Sequence, residues 1–593
     1  MNWLIIALFL LTADESVPEI TSRELMAHVE YLADDDLQGR EAGTDGALQA
    51  AAYIAAEFER LGLKPMGDEG TYFQGFSLPR GFEALPGTKL IAMKGRQKAV
   101  FELQKDLYPL YCSAAGEVEA GAVFAGYGIC APDLGYDDYD GIDVQGKVVV
   151  VMRGVPAGQS RKNPFRTPAA IRRFGAFKAK LDTAAGLGAA ALVVVNDPEN
   201  HSSKREDKLV RRSEEADQGT IPCLHMRYAA ASKMLAGTGV SLVKAQKYID
   251  AKLKPRSETM DKLAIKLTAA LETKKLMVRN VVGLLEAQAE DKKDEIIVVG
   301  AHFDHIGLGR FGSLGGSKAK GKVHNGADDN ASGTAGVMEI AGFLKPRASE
   351  LRRSVLFIAF TAEEMGLLGS RHYVEHPVIP LGKIAAMVNL DMISYLGNTG
   401  QLNIYGTGTA PSFEQTLSSL VKKSRVKTKL VEGVGRGASD HYPFYKKSLP
   451  ALFFITGLHK NYHRPTDDVK YMDKKGFEKV ARLAGELAMT LASAQSRPVF
   501  TPTTEGALEG GPYLGIAVED KENGIFIAEV AKGSPAAKSR LREGDQIVEI
   551  NDREVRTVSV FYGMWSGVAP GEKVTFVLRR SGKLRTVKVR LKK

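Results

Sequence analysis

Eight acidic and imidazole side chains stand where apolar runs of this chain give way to polar residues. "GAHFDHIG" supplies His302 and Asp304, and "VHNGADDNASGT" supplies Asp328 with Asp329 beside it. "FTAEEMGLLGS" adds Glu363 and Glu364, "VNLDMIS" adds Asp391, and "NYHRPTDD" adds His463. Two histidines with several carboxylates suit one or two zinc ions, which accept nitrogen and oxygen ligands. Taken singly, each motif is weak: H-x-D and E-E pairs recur by chance, and adjacent aspartates usually mark a solvated turn. Their joint placement at strand ends, in one chain order, is far more specific.

The elements that must position these groups follow from the hydrophobic pattern. "DEIIVVGAHFD", "SVLFIAFTAEE", "KIAAMVNLDMI" and "LPALFFITG" are nearly continuous apolar runs with polar ends. Strands buried on both faces read this way, as in a mostly parallel sheet covered by helices. In open α/β sheets the ligand site lies beyond the carboxyl ends of the strands. Upstream, residues 22–62 carry apolar positions at helical spacing around a "GREAGT" turn and predict two helices. Between about 115 and 270, short apolar strands alternate with glycine turns and an Ala-rich helix. The charged stretch 202–219 within that region reads as a surface excursion. A linker rich in Ser, Pro, Thr and Gly covers 499–512, and a small β-rich domain is expected over 513–593.

Size and composition bound the function classes. A chain of 593 residues, 44% apolar and 25% charged, should hold two to four ordinary globular domains. The net charge of +10 is spread over mixed Lys, Arg, Asp and Glu, without the one-sided basic face that a nucleic-acid partner requires. The apolar run Trp3–Leu11 is too short to span a bilayer, which takes roughly 20 residues. It fits the core of a secretory signal (residues 1–14) although the preceding basic residues are missing. A secreted or periplasmic location is the expectation, with no transmembrane segment. The three cysteines, Cys112, Cys130 and Cys223, form neither a disulfide framework nor a zinc pattern. A Cys112–Cys130 bridge and buried free thiols both remain open.

The ordered set "AHFDH", "NGADDNASG", "TAEEMGLLGS", "NLDM" and "YHRPTDD" resembles the M28 family of co-catalytic zinc peptidases, as do "YLADDDLQGREAGT", "YFQGF" and "SDHYPF". The likeness covers 15–114 and 271–498. The intervening 115–270 resembles a protease-associated (PA) domain, and the tail, with "YLGI" and "GSPAAKSRLREGDQIVEIND", resembles a PDZ domain. The resemblance implies an α/β fold with a mostly parallel, mixed sheet flanked by helices, a β-rich PA insert and a small PDZ-like β domain. It implies two zinc ions per chain, with Asp328 as the bridge. His302 and Asp391 would complete one site, and Glu364 and His463 the other. Glu363 would be the general base, and Asp304 would orient His302. A bridge must be a carboxylate, because it alone brings two anionic oxygens to two cations. The resemblance also implies a cis peptide between Asp328 and Asp329, with Asp329 helping to hold the loop. The small residues "NASGTAG" would let the next helix pack close beneath the site.

One departure concerns the tyrosine that some relatives place just before the "SDH" stretch. Here Arg436 stands near that point and Tyr442 just after it, so either could stabilise the oxyanion. His441 could line the pocket or merely pack. His305, His324, His372, His376 and His459 match no ligand position and are expected at the surface. In the tail, the loop Tyr513, Leu514, Gly515 and Ile516 would offer backbone N–H groups to a protein C-terminus. The expected activity is that of an aminopeptidase acting on peptides. The rivals are a carboxypeptidase, a single-zinc cyclase, or a silent binding protein built on the PA and PDZ modules.

Overall fold

A computed structural model describes residues 19–591, apart from 159–162, 202–206, 212–218, 317, 505–513, 522–523, 552, 556, 567 and 569–570. The expected signal segment, most of the 202–219 excursion, half of the linker, and Tyr513 lie outside the described residues. The chain divides into two compact units. One comprises 1–76, 278–511 and 557–567, and the other 77–277, 512–556 and 568–593.

The first unit is built on a nine-stranded sheet. Its main strands are β1 (Leu271–Leu285), β2 (Ile296–His302), β3 (Ser354–Phe360), β4 (Ile384–Leu390), β5 (Leu402–Tyr405), β6 (Thr428–Val431) and β7 (Ala451–Ile455). They lie side by side in the order β1-β3-β2-β4-β7-β5-β6. The inner four, β3, β2, β4 and β7, run parallel, while β1 and β5 join antiparallel. Every residue of those inner four is buried, which is why their sequences are unbroken apolar runs.

Helices α1 (Ser22–Leu32), α2 (Asp45–Arg60), α3 (Gly333–Leu344) and α4 (Lys474–Ser493) supply apolar faces to the core of this unit. Thr21 and Thr44 cap α1 and α2 by accepting from the amides of Glu24 and Ala47. Helix α5 (Val558–Ser566) also belongs to this unit. The two helices expected over 22–62 are present, and the "GREAGT" turn between them has a structural duty. Buried Arg40 donates to the carbonyls of Leu32, Phe303 (2.7 Å), Asn325 (2.7 Å) and Gly326 (3.0 Å). One guanidinium thereby ties together the two ends of the connection from β2 to α3, which carries site residues.

The second unit holds an eight-stranded sheet and, from the tail, a six-stranded one. Strands Lys89–Lys94, Gln97–Glu102 and Leu107–Pro109, upstream of residue 115, pair inside the eight-stranded sheet. Cys112, Cys130 and Cys223 are all buried free thiols. In the tail sheet, Ile516–Lys521 is an edge strand paired only with Gly524–Val530. Gly515 precedes it with a left-handed φ of 77°. Among the described residues no helix is long and apolar enough to cross a membrane.

Candidate metal centre

The carboxyl ends of β2, β3, β4 and β7 converge, and with them the residues whose types suggested metal chemistry. His302 is the last residue of β2, Glu363 and Glu364 follow β3, Asp391 follows β4, and His463 lies in the loop after β7. All are buried. Ala362, Met392 and His463, at or beside these residues, have left-handed φ of 54°, 57° and 51°. Such geometry is unfavourable for non-glycine residues and gathers at functional sites.

Two donor groups form. His305, Asp329, Glu364 and His463 bring ligand atoms within 4.8 Å of one another, and so do His302, Glu363 and Asp391. Asp329 stands between the groups. Its Oδ1 lies 3.5 Å from Nε2 of His302, and its Oδ2 lies 3.2 Å from Nε2 of His463. On either side, Asp391 Oδ1 is 3.5 Å from Nε2 of His302, and Glu364 Oε2 is 3.0 Å from Nε2 of His463.

The carboxylate expected to bridge, Asp328, does not face this gap. Its Oδ1 accepts from Ser394 N (2.8 Å), Ser394 Oγ (2.7 Å) and Ser332 Oγ (3.1 Å), while Oδ2 sits 3.1 Å from Nε2 of His459. Those bonds turn Asp328 toward the loop after β4 and leave its neighbour to face the two histidines. The cis peptide shifts by one residue as well, to Asp329–Asn330 rather than Asp328–Asp329. Asp467 holds the pair from behind, accepting from the amides of Asp328 (3.2 Å) and Asp329 (3.0 Å). The small residues work as expected: a Cβ on Gly333 would stand 2.3 Å from the carbonyl oxygen of Leu390.

The chemistry of this donor set fits a metal. His302 Nδ1 lies 3.1 Å from the carbonyl of Asp304, and His463 Nδ1 lies 3.0 Å from that of Gly312. Each carbonyl takes an Nδ1–H, which turns an Nε2 lone pair into the site, as metal-bound histidines require. Several buried polar atoms here have no hydrogen-bond partner: Asp329 Oδ2, Glu364 Oε2, His463 Nε2 and Asp391 Oδ1. Buried polar groups normally find partners, so a cluster of orphans aimed at one point calls for a ligand.

The electrostatics agree. Burial, with the charges of Glu364, Asp440 and Asp391, pushes Glu363 well above the usual carboxylate range despite nearby His302. Burial also raises Asp391 and Asp304. Burial would raise Glu364 too, but His463 and His305 outweigh it and hold this carboxyl well below the ordinary value. His463 is pushed up to about 10, because Glu364 and Asp329 overcome its burial. A pocket so rich in buried carboxylates is short of positive charge, and divalent cations would supply it.

Two positions expected elsewhere belong to this centre. His305 is fully buried, and its Nδ1 lies 2.7 Å from Oε1 of Glu364. His459 stacks on Tyr395 at 3.7 Å and holds Asp328. His324 is likewise buried, with Nε2 2.8 Å from Ser313 Oγ. The carboxylate of Asp304 is 3.7 Å from His302 Nδ1, and it accepts the amide of Glu363 at 3.1 Å. It therefore steadies the general-base candidate as much as the histidine. His441 packs: its ring stacks on Phe453 and its Nε2 lies 2.6 Å from the carbonyl of Val434. Tyr442 is half-buried 6.3 Å from the ring of Tyr445, and Arg436 is also half-buried.

The first unit is thus an α/β domain with a two-centre candidate metal site at the carboxyl ends of its parallel strands. Residues 280–488 match peptidase family M28, residues 109–234 match the PA domain, and residues 512–591 match the PDZ domain. The M28 match thus lies between the PA match upstream and the PDZ match downstream. It is 27% identical over 230 residues to aminopeptidase YwaD of Bacillus subtilis (strain 168), covering 37% of this chain and 46% of that one. The alignment thus spans about half the length of that relative. It is 24% identical over 529 residues to the probable lipoprotein aminopeptidase LpqL of Mycobacterium tuberculosis, covering 82% and 88% of the two chains. Among solved structures, a zinc aminopeptidase from Bacillus subtilis, BSAP, aligns with a TM-score of 0.45 at 20% identity, covering 82% of this chain and 99% of that one.

Proposed function

We propose that the protein is a zinc-dependent exopeptidase that removes N-terminal residues from peptides. The observation that carries this reading is the position of Asp329, with one carboxylate oxygen toward His302 and the other toward His463. In this reading Asp329 serves both metal positions. His302 and Asp391 complete one, and His463 and Glu364 the other. Zinc held there supplies a Lewis acid that polarises the scissile carbonyl and makes the attacking water more acidic. Glu363, raised by burial, takes the proton from that water as its oxygen joins the carbonyl carbon. It then returns the proton to the leaving amine as the C–N bond breaks. Asp304 keeps the backbone of Glu363 in place throughout. The free amine of the substrate would sit among the acidic groups of the pocket.

Export to the cell exterior or periplasm is part of the proposal and rests on the apolar run Trp3–Leu11. The edge strand Ile516–Lys521 is where a protein C-terminus would add to the PDZ sheet. The test is a panel of peptides free at both ends, blocked at the amine, or blocked at the carboxyl. Cleavage should survive carboxyl blocking and stop with amine blocking, and the reverse pattern would favour a carboxypeptidase.

A further inference from the structure

Beside the two donor groups lies a small cavity. Asp329, Glu363 and Asp391 form its acidic wall, and Ile455 and Leu458 stand among its apolar lining. A further lining residue, Tyr562, comes from far along the chain, on helix α5. This helix lies within the segment matching the PDZ family, yet it groups with the peptidase unit.

Helix α5 is buried around most of its circumference, with Val560 and Met564 covered as well. Val558, Phe561, Tyr562 and Trp565 recur at helical spacing and are all buried. The rings of Phe561 and Trp565 stack 6.0 Å apart. Gly437 gives α5 its seat. Its φ is +65°, and a Cβ there would stand 3.2 Å from Cγ1 of Val558.

Tyr562 is 4% exposed, and its hydroxyl has no hydrogen-bond partner among the described residues. Buried hydroxyls usually find a partner, so this one is arranged for something that enters the cavity. Burial pushes the phenol up, with Arg436 only partly opposing, so the O–H stays a donor across the working range. The charged groups of the cavity wall are carboxylates, which accept but cannot donate once ionised. A peptide offers the complementary acceptor, its carbonyl oxygen.

Resting on the exopeptidase reading, we propose that Tyr562 touches the substrate, its hydroxyl donating to the carbonyl oxygen of the scissile bond, so that helix α5 completes the active site. The role left open between Arg436 and Tyr442 falls to a residue more than a hundred positions downstream. The bond strengthens as that oxygen gains charge, so its loss should appear in turnover more than in substrate binding.

The experiment compares the full-length zinc-loaded protein with its Tyr562→Phe variant on leucine p-nitroanilide, alongside zinc content and Tm. The inference expects unchanged zinc and Tm, KM within about twofold, and kcat lowered by about 10²-fold, in line with loss of one oxyanion donor. A kcat equal to the parent's would overturn it, as would a fall in kcat matched by loss of zinc or a lowered Tm. Parent protein that carries zinc but cleaves no free-amine substrate would instead overturn the exopeptidase reading and this inference with it.

Discussion

His305 Nδ1 lies 2.7 Å from Glu364 Oε1, and neither side chain reaches solvent. The contact leaves the other oxygen of Glu364 facing His463 at 3.0 Å. His305 therefore fixes which carboxylate oxygen is presented to the candidate metal position. Partners of this kind are worth roughly 10–100-fold in metal affinity. We expect His305→Ala to lose one zinc to a competing chelator at a concentration lower by about that factor. Metal content after dialysis against graded chelator measures this, and unchanged retention would assign His305 to packing alone.

The adjacent aspartates should part company. Asp329→Asn removes a charge shared by both donor groups, so the protein should retain at most one zinc and lose peptidase activity. Asp328→Asn disturbs hydrogen bonds to Ser394 and His459 but leaves the facing carboxylates in place. It should keep its zinc content. Elemental analysis of the two purified variants separates them, and the opposite pattern would restore Asp328 as the bridge.

Arg40 offers a stability test away from the chemistry. Replacing it with Met leaves the buried carbonyls of Phe303 and Gly326 without this donor. Breaking a buried charged network costs about 3 kcal/mol or more. Urea denaturation should show a loss of that order, together with weaker zinc retention, because the connection between β2 and α3 loses its tie.

His441 sets a pH dependence. Burial pulls this imidazole from an ordinary 6.5 to about 4, and the carbonyl of Val434 offsets that only in part. Between these values the unfolded chain holds a proton that the folded chain refuses. The contribution is therefore complete above pH 6.5 and is lost as pH falls toward 4, by up to about 3 kcal/mol. Thermal denaturation at pH 7 and pH 4.5 should show a smaller drop for His441→Gln than for the parent, and equal drops would exclude the assignment.

Much of this architecture was legible in the sequence because burial on both faces leaves a simple mark. The apolar runs of β2, β3, β4 and β7 and the polar groups at their ends located the site. The choice between Asp328 and Asp329 was not legible, because neighbours of one type differ only in which distant side chains meet them. Ser332 binds Asp328 locally, but Ser394 and His459 arrive from other parts of the chain. His305 was passed over because its partner, Glu364, comes from the next strand of the sheet, not from its own. Strand pairing across long separations was hidden for a similar reason: Lys89–Lys94 pairs with Ser257–Ala269, well over a hundred residues away. Tyr562 had no local signal, since nothing in "VSVFYGMWS" indicates which neighbour its apolar face will meet.

Anomalous diffraction at the zinc edge, on crystals of the metal-loaded protein, tests the central claim most directly. We expect two peaks, one between Asp329 and His302 and the other between Asp329 and His463. Peaks centred on Asp328, or none within this cluster in a protein that still hydrolyses peptides, would contradict the account.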